Sequence, residues 1–221
     1  MVYHVLQAEN QWHITMIRKN LLKFKLNLEI ISSSKSQLES YMEGFGPEKE
    51  RCPSCNAVGQ CRIYASYERY IVDFIDGKAV SSRIRIHRVL CTCRHTHAIL
   101  PDFIVPYLQY SLPFILHVLK TWFTRSMTLE KIEDTYGVSH KVLERWKEIY
   151  GRHKDLWLGI VRSRQVSSLD FLERILAMEP FSGFTSGFFL KTLYSFLQSH
   201  ANPANCRQHP PGFVFSGHPC T

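Results

Sequence analysis

The stretch RYIVDFIDGKAVSSRIRIHRVLCTC (residues 69–93) decides the fold. Its first residues alternate, with Tyr70, Val72 and Phe74 on one side and Ile71, Asp73 and Ile75 on the other. That is the period of a β-strand. Asp76-Gly77 then supplies a tight hairpin turn, because glycine reaches positive φ at little steric cost. The return segment alternates again, with Ile84 and Ile86 opposite Arg83, Arg85 and His87. The basic stripe reads as the solvated face of a ribbon. A lone hairpin is marginal in water, so something must staple it.

Cysteines flank the hairpin on both sides. RCPSCNAVGQC (residues 51–61) offers Cys52-x2-Cys55 and, further on, Cys61; the far strand ends in Cys91-x-Cys93. Two short cysteine loops at the base of a hairpin suit a zinc ribbon, with Cys52, Cys55, Cys91 and Cys93 converging on one tetrahedral Zn²⁺. Four thiolates close the shell and leave no position for water, so the expected role of the zinc is structural. The second knuckle is one residue tighter than the first. Cys61, His95 and His97 therefore stay open as alternative ligands.

TLEKIEDTYGVSHKVLERWKEIY (residues 128–150) has the other decisive pattern. Thr128 can cap a helix that Gly137 ends, and Ser139 caps the next one. Ile132, Tyr136, Val138, Leu143 and Trp146 fall at −5, −1, +1, +6 and +9 from Gly137, the inward-facing set of a helix-turn-helix. Glu133 departs from the pattern, which prefers a small residue there. In the second helix, Ser139, His140, Lys141, Glu144 and Arg145 are placed to meet DNA, the last at a guanine or a phosphate. Arg152, His153 and Lys154 would suit the phosphate backbone. SLPFILHVLKTWF (residues 111–123) supplies a third helix of the bundle, with proline in its first turn.

The chain has 221 residues and a formal charge of +8, which points to a polyanionic partner, nucleic acid first. No apolar run approaches the ~20 residues that cross a bilayer, and the first residues carry no secretory pattern. With cysteines in CxxC-like pairs, the expected compartment is a reducing cytoplasm. KFKLNLEII (residues 23–31) alternates like a strand, and SKSQLESYMEGFG (residues 34–46) reads as a short helix ending at glycine. Residues 166–200 read as two helices, SSLDFLERILAME and GFFLKTLYSFLQSH. The tail adds Cys206-x2-His209 and His218-x-Cys220, a weaker candidate for a second metal site.

CPSCNAVGQC, SYERYIVDFIDG, THAILPDFIVPY and TLEKIEDTYGVSHKVLERW, in that order, resemble a bacterial family of uncharacterised, transposase-like proteins found in mobile-element contexts. The resemblance covers about residues 50–160 and implies a zinc ribbon followed by a helix-turn-helix that binds DNA at element ends or an operator. It also implies that His97 belongs to a packing motif joining ribbon to helices. In that family the second knuckle is Cys-x2-Cys-Gly; here Cys93 is followed by Arg94, and Asn56 stands where glycine follows the first knuckle.

The expected fold class is therefore α+β: a preamble (1–48), a small zinc-ribbon β module (49–106), a helix-turn-helix bundle (107–165), and C-terminal helices with an irregular tail (166–221). The expected partner is double-stranded DNA, with no membrane and with a homodimer left open. About 55 residues follow the bundle, with Asp170, Glu173 and Glu179 as their carboxylates, too little for a nuclease domain of ordinary size. A stand-alone binder is expected over an enzyme. The alternatives are the DNA-binding part of a transposase without its catalytic domain, and a zinc-stapled module for protein or RNA.

Overall fold

The computed structural model describes residues 16–19, 21–22, 26, 28 and 33–199. Its fold is mixed α and β, a four-stranded sheet with seven α-helices among the described residues. The hairpin is its longest feature. Strand β2 (Cys61–Ile75) pairs antiparallel with β3 (Lys78–Cys91), from Cys61 opposite Cys91 to Ile75 opposite Lys78, with one bulge between Ile63 and Ala65. The turn has Asp76 at φ 49° and Gly77 at φ 76°, the left-handed pair that a two-residue hairpin loop requires. Fifteen residues of β2 extend about 50 Å.

Two further strands join the sheet, in the order β1-β4-β3-β2. Strand β4 (Thr96–Pro101) runs antiparallel to β3, and β1 (Met16–Lys19) lies parallel to β4, Met16 opposite Ala98. The sequence pattern reads residues 96–101 only as part of an apolar connection. The physical reason is burial: His97 through Pro101 are all buried, so the alternation that marks a half-exposed strand is absent. The strand-like segment at residues 23–31 lies largely outside the described residues.

Helix α1 (Ser34–Glu43) forms where expected and ends at Gly44. Its start is tied to the ribbon: the fully buried Asp73 carboxylate accepts the Ser34 N–H at 2.9 Å and the Ser34 hydroxyl at 2.7 Å. Helix α2 (Leu112–Phe123) starts at Ser111, whose hydroxyl accepts the Phe114 N–H, with Pro113 in the first turn. Helix α3 (Leu129–Tyr136) starts at Thr128, whose hydroxyl accepts the Lys131 N–H. It stops at Gly137 with φ 64°, a left-handed position that a Cβ would strain. After Val138 and Ser139 comes α4 (His140–Leu158), 19 residues and about 28 Å long. Ser139 occupies the cap position of α4 without a side-chain bond to the helix.

Helices α5 (Ile160–Gln165), α6 (Ser168–Leu176) and α7 (Phe181–Thr192) complete the described chain. The last one corrects the expected position. Helix α7 begins after Pro180, earlier than GFFLKTLYSFLQSH, and Leu193 stops it in the left-handed conformation at φ 59°. Phe196 and Leu197 are then buried outside any helix. Ile71, Ile84 and Ile86 of the hairpin pack into one core with Phe114, Leu143 and Trp146 of the helices. The helices therefore staple the tip half of the hairpin. Its base depends on a separate small cluster of Ile17, Cys52, Cys61, Val89, Cys91 and Ile99.

Candidate metal centre and nucleic-acid interface

The base of the hairpin is shaped by two tight loops. In the first, the Asn56 N–H bonds to the Cys52 carbonyl at 2.9 Å and the Cys52 N–H to the Ala57 carbonyl at 2.9 Å. Asn56 sits at φ 60°, which asparagine tolerates better than most residues. In the second, the Arg94 N–H bonds to the Cys91 carbonyl at 2.9 Å and the Cys91 N–H to the His95 carbonyl at 3.0 Å, with Arg94 at φ 68°. A bond from the Thr92 N–H to the Gln60 carbonyl ties the two loops together.

These loops bring Cys52, Cys55, Cys91 and Cys93 together, with all four sulfurs within 4.8 Å of one another. Cys52 and Cys93 are 3.6 Å apart, and Cys55 and Cys91 are 3.7 Å apart. Sulfurs around a tetrahedral zinc at about 2.3 Å stand about 3.8 Å from each other, so the spacing and donor type fit that ion. The four cysteines could hold a metal ion, and the set is compatible with zinc.

A knuckle one residue shorter leaves less backbone to point N–H groups at its sulfurs, yet the second knuckle does so. Backbone N–H groups still reach its sulfurs, that of Cys93 to Cys91 and that of His95 to Cys93, as those of Ser54 and Cys55 reach Cys52. Burial pushes the Cys52 thiol up to about 12. Burial also opposes ionisation at Cys91, yet hydrogen bonds from the Cys93 N–H and the neighbouring thiols hold that group down at about 6. Cys52 and Cys91 are buried, Cys93 is half-buried and Cys55 is exposed; four thiolates crowded together would need a cation to offset their charge, which a divalent metal could supply.

The alternative ligands surround the quartet. His97 is buried on β4 with Nε2 3.3 Å from the Cys52 sulfur, and His95 places Nδ1 3.4 Å from the Cys93 sulfur. Each histidine touches one sulfur from outside, the position of a residue that orients a ligand. Cys61 faces Cys91 across the ladder and is buried. Its thiol is pushed up to about 11 by burial, then by the charge of Cys91 and its hydrogen bond. Cys206, His209, His218 and Cys220 lie outside the described residues.

The second candidate site is the α3–α4 pair. Ile132, Tyr136, Val138, Leu143 and Trp146 are all buried, and Glu133 is exposed, its carboxylate side chain clear of the crossing. His140, Lys141, Glu144, Arg145 and Arg152 are exposed along α4. Lys141, Arg145 and Arg152 follow at intervals of four and seven, one stripe of the helix. Glu144 accepts from Lys147 at 2.7 Å and lies 3.4 Å from His140 Nε2. The bond from Lys147 holds the Glu144 carboxyl below the usual carboxylate range. The Lys147 ammonium also sits 4.4 Å above the Trp122 ring, which anchors it to α2.

Two residues of the expected basic set are engaged elsewhere. His153 is buried between Phe188 and Phe196, and its Nδ1 accepts the Leu197 N–H at 2.9 Å. Burial, helped by the Arg152 charge, pushes its pKa down to about 3, so the ring is neutral. Lys154 is half-buried and donates to the Val166 carbonyl at 2.7 Å. The spacing carried a signal for His153: it lies four residues from Ile149 and three from Tyr150, on the apolar side of the helix.

A family model described as a domain of unknown function (DUF6431) matches residues 52–146. The match opens on the first cysteine of the quartet and closes on Trp146, the last of the five apolar residues in the α3–α4 pattern. No curated protein and no solved structure gives a significant match. Among the described residues, no helix is long and apolar enough to cross a membrane.

Proposed function

We propose that the chain binds double-stranded DNA through α3 and α4 acting as a helix-turn-helix, on a scaffold stapled by a structural zinc in a ribbon of Cys52, Cys55, Cys91 and Cys93. The supporting observation is the turn: Gly137 at φ 64° between two helices, with the five apolar residues of the pattern, Val138 of the turn among them, all buried. That arrangement presents the first two turns of α4, with Ser139, His140, Lys141 and Arg145, to solvent. Arg152 extends the stripe toward a phosphate, and the +8 net charge favours a polyanion.

The metal ties the base of the ribbon, and a closed sulfur shell offers no reactive position. The role is binding, of the kind a mobile-element regulator or accessory factor performs, in line with the resemblance noted above. Selection of bound sequences from a random duplex pool, with zinc measured on the same protein sample, tests the reading. An enriched motif and one zinc per chain are expected. A pool with no enrichment sinks it.

A further inference from the structure

A cleft of about 510 Å³ opens where the face of β2, β3 and β4 meets residues 106–109, and neither the cysteine quartet nor α4 contributes to it. Ala98 and Leu100 line it with apolar surface, Tyr67 and Tyr107 add aromatic rings, and Arg69 and Arg88 add charge. None of its lining residues is acidic. Tyr67 and Arg69 stand two apart on β2 and so share a face, while Arg88 sits between Ala65 and Ala98 in the ladder.

The two guanidinium groups are fixed in place. Arg69 donates to the Leu108 carbonyl, and Arg88 donates to the Thr96 hydroxyl at 2.7 Å. Each guanidinium carries five N–H donors in a rigid fork, a shape that matches phosphate oxygens. Burial pushes the Arg69 pKa down, the mark of a cation held partly out of water, and an anion beside it would relieve that cost. The rings are accessible, Tyr67 40% and Tyr107 53% exposed. Tyr107 is also held at φ 65°, so the connection presents this ring from a backbone position that tyrosine disfavours.

We propose that this cleft takes one nucleotide of a single-stranded nucleic acid, its base against Tyr67 and Tyr107 and its phosphodiester on Arg69 and Arg88. The volume falls in the range of small-ligand sites. Paired arginines and aromatic rings without acids are the equipment of single-strand binding, in which bases stack and the backbone follows positive charge. The cleft is separate from α4, so the inference stands independently of the duplex reading.

The test uses the full chain loaded with zinc and three labelled probes followed by fluorescence anisotropy: a short oligothymidylate, the matching oligouridylate, and a duplex. Tyr107→Gly removes a ring at a position where glycine is conformationally at ease, and Arg88→Gln removes a charge. Single-strand affinity is expected to fall at least about tenfold in Tyr107→Gly and to lose part of its salt dependence in Arg88→Gln, while duplex affinity stays put. The ratio of the two single-strand affinities tells whether deoxyribose or ribose is preferred. A halogenated-base strand should also cross-link under light to Tyr67 or Tyr107 in the unaltered chain. Absence of single-strand binding, binding indifferent to both variants, or cross-links confined to other residues overturns the proposal.

Discussion

His97 Nε2 lies 3.3 Å from the sulfur of Cys52, and both side chains are buried almost completely. With the proton on Nε2, the ring donates to a thiolate that burial otherwise disfavours. The contact supports the quartet from outside, because His97 stands on β4, a strand that contributes none of the four sulfurs. His97→Ala should therefore weaken zinc affinity by roughly 10- to 100-fold, the usual cost of losing such a partner. Competition with a chromophoric chelator measures it, and unchanged affinity would make His97 a packing residue only.

Arg94 closes the second knuckle at φ 68°, a left-handed position that costs a residue with a Cβ about 1 kcal/mol or more. Its side chain is exposed, so nothing in the core depends on it. Arg94→Gly should stabilise the zinc-loaded chain by about 1 kcal/mol, seen as a higher denaturant midpoint. Asn56→Gly should gain less, since asparagine tolerates φ 60° more readily.

The features written in local spacing are the ones that can be read without coordinates. The cysteine pairs, the Asp76-Gly77 turn and the register around Gly137 each depend on residues close in sequence. The sheet beyond the hairpin does not. Met16 pairs with Ala98 across 82 positions, and β4 hides its period because both its faces are covered. Asp102 was equally silent, an acid amid an apolar run. Its buried carboxylate accepts the N–H groups of Leu21 and Leu22 at 3.0 and 3.2 Å and the Thr185 hydroxyl at 3.3 Å. One side chain thus joins the N-terminal segment, the sheet's end and α7.

Removing that junction has a definite expectation. Asp102→Ala leaves the half-buried Leu21 N–H and the buried Leu22 N–H without this acceptor, while the Thr185 hydroxyl keeps the Ser182 carbonyl at 3.2 Å, at a cost of about 1–3 kcal/mol for each buried group left unsatisfied. A total loss of at least about 2 kcal/mol should appear in chemical denaturation. A loss below about 0.5 kcal/mol would mean that water replaces the carboxylate.

His153 gives the fold an acid limit that can be separated from the metal. Its folded pKa is about 3, against about 6.5 in an unfolded chain. The unfolded state alone takes up this proton as pH falls through 6.5, so the stability is intact above that point and declines toward pH 3. The slope from one such proton is at most about 1.4 kcal/mol per pH unit. Acid also strips zinc from thiolates, so the useful quantity is the difference between the unaltered chain and His153→Gln, whose amide oxygen can still accept the Leu197 N–H. The variant should lose stability less steeply below pH 6.5. Equal slopes would place the titration elsewhere.

Lys141 and Arg145 lie one turn apart on the exposed stripe of α4, and Lys154 lies further along with its ammonium on the Val166 carbonyl. If the stripe meets a phosphate backbone, each cation released from contact should lower the slope of log affinity against log salt by about one. Lys141→Ala and Arg145→Ala should each do this. If Arg145 also reads a guanine, its variant should additionally relax sequence preference at one position, by about 1–3 kcal/mol of discrimination. Lys154→Ala serves as the internal control: it should lower thermal stability through the lost bond to Val166 and leave the salt slope near that of the unaltered chain. Anisotropy titrations across a salt series distinguish these outcomes. A stripe whose two alanine variants keep both slope and preference carries no DNA, and the reading would then turn to a protein or RNA partner.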